Sequence, residues 1–158
     1  MKIDNKVTIL GCGHGGMALA ADLTLKGAKV ALWSDPNHAS KFDKIIDKNG
    51  QIVLHDDPIK NTIQLDLISH NLSEVLNYSD IIYNCTPMSA HALLFKKVAL
   101  TLYKTQQTKI FINVSGTFSG IEQYTKTHNK SIFDKIKIFE LQLSPMHAEL
   151  VTAIMSRY

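Results

Sequence analysis

The chain has 158 residues, of which 45% are hydrophobic and 20% charged, and its net charge is +3 with neutral histidines. This length suits one domain with a single core, and no apolar run reaches the roughly 18 residues of a membrane span. The N-terminus carries no signal-peptide pattern, so we expect a cytoplasmic protein that has no membrane partner. The spread lysines, two cysteines and seven histidines match no nucleic-acid-binding pattern, disulfide framework or metal-site spacing.

Short apolar runs alternate with helical patterns along the chain. They predict strands at 7–10, 29–33, 81–85, 109–114 and 135–141. They predict helices at 15–26, 38–48, 73–78, 89–103, 119–127 and 145–155. Between the second and third of these strands, residues 51–54 and 62–65 predict a hairpin, and its second run continues near 67–68. Strands that alternate with helices imply βαβ units. The sequence therefore predicts a single α/β domain built on a doubly wound, mainly parallel sheet.

A glycine-rich turn joins the first strand to the first helix. Gly11, Gly13 and Gly16 match the G-x-G-x-x-G pattern, and Gly15 adds a fourth glycine. The first glycine allows the tight turn, the second lets the backbone approach a pyrophosphate, and the third lets the helix pack close to the strand. The free N–H groups at the helix start attract phosphates. In this strand–turn–helix setting, the motif predicts a Rossmann domain over residues 1–158 that binds a nicotinamide dinucleotide.

Two other residues of this turn carry reactive side chains. Two hypotheses fit His14. It contacts a phosphate or the nicotinamide side of the cofactor, or it is a plain turn residue at the mouth of the cleft. Cys12 is expected to pack beneath the turn as a small residue and not to act as a nucleophile.

The end of the second strand normally carries an acid that accepts hydrogen bonds from the adenosine ribose of NAD. Here the counted position falls on Ser34, and Asp35 follows. Asp35 would repel the 2′-phosphate of NADP, whereas Ser34 with His38 or Lys41 would accept it. Asp35 is also suited to a turn or helix cap before Pro36. We favour NAD as the cofactor, and NADP is the alternative.

The stretch Val7–Trp33, with its run Gly-Cys-Gly-His-Gly-Gly-Met-Ala-Leu-Ala-Ala-Asp-Leu-Thr-Leu-Lys-Gly, resembles the N-terminal domain of the opine (octopine and nopaline) dehydrogenases. That domain is itself similar to the N-terminal domain of glycerol-3-phosphate dehydrogenase. Residues 84–91 resemble the family's strand–Pro-x-x-Ala-His segment, which passes beneath the cofactor. Residues 113–120 resemble its next glycine-bearing strand end, and residues 140–145 resemble the segment that closes the nucleotide domain. The resemblance covers most of the chain.

The resemblance implies site residues beyond the glycine turn. It places the cofactor against four residues that follow the third clear strand, namely Cys85, Thr86, Pro87 and His91. His91 is a candidate catalytic base, but we favour a supporting or helix-surface role for it. One departure is Thr117, which stands where the family often has an arginine after the glycine matched by Gly116.

The resemblance also implies a reaction, hydride transfer from NAD(P)H to an imine formed from an amino acid and a 2-keto acid. The family's catalytic histidine and acid lie in a helical C-terminal domain, and the sequence ends at Tyr158. We therefore expect that domain to be absent and the chain to be catalytically incomplete alone, with a helical domain or a second copy as its partner. The alternative is a stand-alone nucleotide-binding module or sensor without turnover.

Overall fold

The computed structural model describes residues 5–38, 42–56, 59–105, 108–114 and 136–140. The elements in chain order are β1 (Lys6–Leu10), α1 (His14–Leu25), β2 (Lys29–Trp33), a 3-10 turn (Pro36–His38), α2 (Phe42–Asp47), β3 (Gln51–Asp56), β4 (Ile59–Gln64), β5 (Leu67–Ser69), α3 (Leu72–Tyr78), β6 (Ile81–Asn84), α4 (Met88–Thr105), β7 (Lys109–Asn113) and β8 (Ile136–Glu140). The helices predicted over 119–127 and 145–155 lie outside the described residues. Of the helices described, none is long and apolar enough to cross a membrane.

The main sheet has six strands in the order β5-β2-β1-β6-β7-β8, and every neighbouring pair is parallel. The chain winds outward from β1 through β2 to β5, crosses back to β6 beside β1, and winds outward in the other direction. This is the doubly wound order, so the predicted fold class is confirmed. The predicted hairpin is confirmed as an antiparallel ribbon of β3 and β4, and its continuation forms β5.

Alternating side chains of the central strands divide the core between the two faces of the sheet. On one face, Ile9 of β1 and Leu32 of β2 pack with Ala20 of α1. On the other face, Leu10 and Trp33 pack with apolar residues of α3 and α4. Ile9, Leu10 and Leu32 are fully buried, and burying each such side chain stabilises the fold by roughly 1.5–3 kcal/mol. Because helices cover both faces, the ends of the strands offer the groups that can meet a ligand.

Candidate nucleotide-binding site

The turn after β1 is held between two neighbouring strands of the sheet. The N–H of Gly11 donates to the carbonyl oxygen of Trp33 at 2.8 Å, and the N–H of Cys85 donates to the carbonyl oxygen of Leu10 at 2.8 Å. Gly11 has a φ of +109°, and a Cβ there would lie 3.0 Å from the backbone nitrogen of Thr86. The left-handed backbone and this close approach both require glycine. The turn therefore rests directly on the residues that follow β6.

The other glycines of the turn differ in what surrounds them. A Cβ on Gly16 would lie 1.8 Å from the carbonyl oxygen of Gly11, so only glycine lets α1 approach the turn this closely. A Cβ on Gly13 or Gly15 would have no heavy atom of the described residues within 4 Å. Gly16 thus has a structural role, whereas the space above Gly13 is open. The backbone of the turn can therefore be approached closely at Gly13.

Helix α1 begins at this turn without a capping side chain. Gly13 is its N-cap, with extended backbone, and no acidic residue stands in the first turn. The first intrahelical bond joins the N–H of Met17 to the carbonyl oxygen of Gly13 at 2.9 Å. His14, the first helical residue, is exposed. An uncapped helix start presents backbone donors and positive partial charge, which favour a bound anion.

At the end of β2, the carboxylate of Asp35 accepts three hydrogen bonds from within the protein. Its Oδ1 accepts from the backbone N–H and the side-chain Nδ2 of Asn37, both at 3.0 Å, and its Oδ2 accepts from Nζ of Lys97 at 2.8 Å. These donors, Lys97 first and the Asn37 N–H second, hold the pKa of Asp35 below its ordinary value. Asp35 therefore forms an Asx turn before Pro36 and an ion pair with α4.

Ser34 lies beside Asp35 and is braced from β5. It is buried, and its carbonyl oxygen is 2.8 Å from Nδ1 of His70, which follows β5. The other ring nitrogen of His70 is 3.2 Å from Oδ1 of Asp43 in α2, and the indole Nε1 of Trp33 donates to the carbonyl oxygen of His70 at 2.9 Å. These contacts fix the end of β2.

Lys41, the alternative phosphate contact, lies outside the described residues, as does the side chain of His38.

A buried polar network stands at the ends of β6 and β7. Asn84 and Asn113 are direct partners in the parallel register, and Nδ2 of Asn84 donates to Oδ1 of Asn113 at 2.9 Å. Oδ1 of Asn84 accepts from Oγ1 of Thr86 at 2.7 Å and from its backbone N–H at 3.2 Å. The carbonyl oxygen of Thr86 is 2.9 Å from Nε2 of His91. The network links β7, β6 and α4, and it sets the path of the chain after β6.

His91 lies inside this network. The helix-surface reading of it is wrong, because only 1% of the residue is exposed. Its side chain turns back toward the start of α4, as helical side chains do, and meets the carbonyl of Thr86. A carbonyl only accepts, so Nε2 carries the hydrogen, and Nδ1 has no hydrogen-bond partner in the part of the chain that the structure describes. Pro87, in contrast, is exposed.

The two cysteines are placed for packing. Both lie against the core cluster on the α1 side of the sheet, and they form no disulfide with each other. Burial raises the pKa of Cys85 to about 12, so its thiol is protonated at neutral pH and is a poor nucleophile. Across the described ranges, no three His, Cys, Asp or Glu residues form a group that could hold a metal ion.

Three residues of this region were not among the predicted site residues. Asn84 and Asn113 carry a recognisable signal, since each is a polar residue at the last position of a buried parallel strand. Lys97 carries no such signal, because its partner is 62 residues away and its place in α4 is that of an ordinary half-exposed lysine.

The model for the N-terminus of NAD-dependent glycerol-3-phosphate dehydrogenase matches residues 6–147. The chain belongs to this family. The predicted resemblance is confirmed in both its parts, to glycerol-3-phosphate dehydrogenases and to opine dehydrogenases, and the chain is an NAD(P)-binding domain of the dehydrogenase type.

The chain is similar to two kinds of dehydrogenase. A glycerol-3-phosphate dehydrogenase [NAD(P)+] of Aster yellows witches'-broom phytoplasma (strain AYWB) is 31% identical over 152 residues, which are 92% of this chain and 41% of that protein. An opine dehydrogenase of Arthrobacter sp. (strain 1C) is 29% identical over 114 residues, which are 72% of this chain and 30% of that protein. The chain thus spans well under half the length of these two relatives.

Solved structures support the fold. Glycerol-3-phosphate dehydrogenase from Coxiella burnetii superposes with a TM-score of 0.56 at 14% identity, and the match covers 87% of this chain and 54% of that one. At this low identity, the likeness concerns the fold alone.

Proposed function

We propose that this chain binds NAD(P)H across the carboxyl edge of its sheet and serves as the cofactor-binding part of an opine-dehydrogenase-like oxidoreductase. The observation that carries the proposal is the open space above Gly13, beside the uncapped start of α1. Backbone donors there are fixed before a ligand arrives, and the first turn of α1 contains no acidic residue. Such a site suits the pyrophosphate of a dinucleotide.

The other candidate residues divide between the two halves of the cofactor. The adenosine half is expected over the end of β2, at Ser34 and Asp35, and the pyrophosphate over Gly13, His14 and Gly15. The nicotinamide half is expected beyond β6, against the segment 85–87. His91 stabilises this segment by its hydrogen bond to the carbonyl oxygen of Thr86. A nicotinamide bound there supplies the hydride. The chain's own residues bind the cofactor, orient it and keep the strand ends in register.

The proposed substrate is an imine formed from an amino acid and a 2-keto acid. The opine dehydrogenase relative supports this substrate, and the glycerol-3-phosphate dehydrogenase relatives support a CH–OH substrate as the second candidate. Reduction of either needs an acid–base group within hydrogen-bond reach and a site that excludes water. His91 is buried and bound to Thr86, so it is a poor candidate for that group. We therefore propose that a helical domain or a second copy completes the site.

Cofactor binding is tested by fluorescence titration with NADH and NADPH. Trp33 is the only tryptophan of the chain, and its carbonyl oxygen accepts from the glycine turn. We expect its emission to fall as energy passes to bound reduced nicotinamide. An absence of saturable change and of nicotinamide enhancement up to about 1 mM cofactor would overturn the proposal.

Turnover separates the enzyme from the alternative of a nucleotide sensor. The purified chain is mixed with NADH and one of two substrates, either an amino acid plus a 2-keto acid or the keto substrate of a CH–OH dehydrogenase. Each mixture is measured with and without the helical C-terminal domain of an opine dehydrogenase. We expect NADH consumption only in the completed assembly. Consumption by a monomer of this chain would contradict the need for a partner, and tight binding with no turnover in any mixture would favour the sensor.

A further inference from the structure

An ion pair connects the end of β2 to α4 at the adenosine side of the proposed cofactor site. Nζ of Lys97 lies 2.8 Å from Oδ2 of Asp35, and the side chains keep 43% and 22% of their surface exposed. Asp35 is the second residue after β2, in the region where this fold contacts the adenosine ribose. The pair therefore lies near the ribose 2′ position of the proposed cofactor, which is where NAD and NADP differ.

The carboxylate of Asp35 is not placed to discriminate strongly against a phosphate. Its Oδ1 is occupied by two donors from Asn37, and its Oδ2 is occupied by Lys97. A ribose hydroxyl could use only the one acceptor site that remains on Oδ2. The ammonium of Lys97 also offsets the negative charge of Asp35, and that charge is what would otherwise repel a 2′-phosphate.

Lys97 has donor capacity left for a ligand. An ammonium carries three N–H donors, and one of them is directed at Asp35. The side chain of Lys97 is half-exposed, whereas Phe95 and Val98 of the same helix pack into the core. A flexible lysine can keep its contact with Asp35 and still meet a phosphate oxygen beside it.

We propose that Lys97, paired with Asp35, is the cofactor-specificity residue of this domain and provides the contact for the 2′-phosphate of NADP, so that the chain accepts NADPH about as well as NADH. This inference rests on the proposed function, because it concerns the adenosine end of the same site. An unpaired acid at this position would select NAD, because it would repel the 2′-phosphate of NADP. The pair of Asp35 and Lys97 is neutral as a whole, so both cofactors can bind.

The test is a fluorescence titration of the parent chain and its variants with NADH and NADPH, with competition by 2′-AMP and 5′-AMP to isolate the adenosine subsite. For Lys97→Met we expect NADPH and 2′-AMP to bind about 10-fold more weakly, because a charged donor is lost and Asp35 is left unneutralised. NADH and 5′-AMP should change by less than about 3-fold. Lys96→Met is the matched control, since it removes the same charge from the preceding residue, which is exposed on α4.

A second variant separates the pair from its lysine. Asp35→Asn keeps an oxygen for the Asn37 N–H and removes the negative charge that repels a phosphate, so the ratio of NADPH affinity to NADH affinity should rise several-fold. If Lys97→Met and Lys96→Met weaken NADPH equally, or if the parent prefers NADH by more than about 100-fold, the inference is overturned while the proposed function stands. If the parent binds neither cofactor, the proposed function itself fails.

Discussion

Two helices begin at the same carboxyl edge of the sheet, and their first turns are built differently. Helix α3 follows β5, and the side chain of Asn71 accepts from the N–H groups of Ser73 and Glu74 at 3.1 and 3.4 Å. Glu74 adds a negative charge to that first turn. Helix α1 follows β1, and its cap is Gly13, with no capping side chain and no acid.

The difference indicates which helix start serves the fold and which serves a ligand. The donors of α3 are satisfied by residues next to them in sequence, so this terminus has little need of an added anion. No side chain of the described residues caps the donors of α1, and a Cβ on Gly13 would meet no described atom within 4 Å. A glycine cap without a capping oxygen costs α1 only about a few tenths of a kcal/mol, and it leaves the terminus available for the anion site proposed above.

Gly16→Ala should have the largest effect on the α1 side of this comparison. The new Cβ would lie 1.8 Å from the carbonyl oxygen of Gly11, and the helix would have to move away from the turn. We expect the free energy of unfolding to fall by about 3 kcal/mol, as measured in urea. Gly15→Ala is the matched control, since its Cβ would meet no described atom within 4 Å. It should leave stability unchanged or raise it by about 0.5–1 kcal/mol, and equal losses in the two variants would contradict the close packing.

Gly13→Val should abolish the anion site of α1 and spare the fold. Gly13 has extended backbone that valine readily adopts, and the added side chain enters the open space. We expect NADH affinity to fall on the order of 100-fold in a fluorescence titration, with a stability loss of at most about 1 kcal/mol. Asn77→Val adds a β-branched side chain at an exposed position of α3 and should not affect binding. Wild-type affinity in Gly13→Val would place the pyrophosphate elsewhere.

Asn71→Ala should harm the α3 terminus alone. Two N–H groups lose their acceptor, so we expect the free energy of unfolding to fall by about 1 kcal/mol, with NADH affinity unchanged. Asn71→Ser retains a capping oxygen and should recover most of the loss. A marked drop in NADH affinity for Asn71→Ala would show that the two helix starts are coupled, contrary to the division of roles described above.

The pH dependence of the Asp35 contacts should be the smallest effect. Because the folded protein lowers the pKa of Asp35, its stabilising contribution is present above the ordinary value of 3.8 and is lost as the pH falls below it. The residue is partly exposed, so we expect well under 1 kcal/mol after solvent screening. Asp35→Asn should flatten the stability profile between about pH 5 and pH 3. Asp22→Asn, at an exposed pair with Lys26, serves as the control, and identical profiles for the two variants would contradict the prediction.

Much of the α1 region could be predicted because its signals are local. The glycine spacing, the apolar run of β1 and the stop at Gly27, which has a φ of +88°, all act between near neighbours in the chain. The network of Asn84, Asn113 and His91 was harder to predict, since its members come from two strands and a helix. The role of Asp35 stayed open for the same reason, because ribose acceptor and turn residue look alike until the position of Lys97 is known.

Local chemistry in the sequence was thus enough for the order of the described strands and helices, the glycine turn and the class of ligand. Those features depend on backbone preference and on apolar periodicity, which act over a few residues. The tertiary structure decided that Asn84 meets Asn113, that His91 is buried against Thr86, and that Lys97 neutralises Asp35. Parallel strand pairing and helix packing bring together residues that are far apart in the chain, and a charge or a hydrogen bond acts only once that distance is closed.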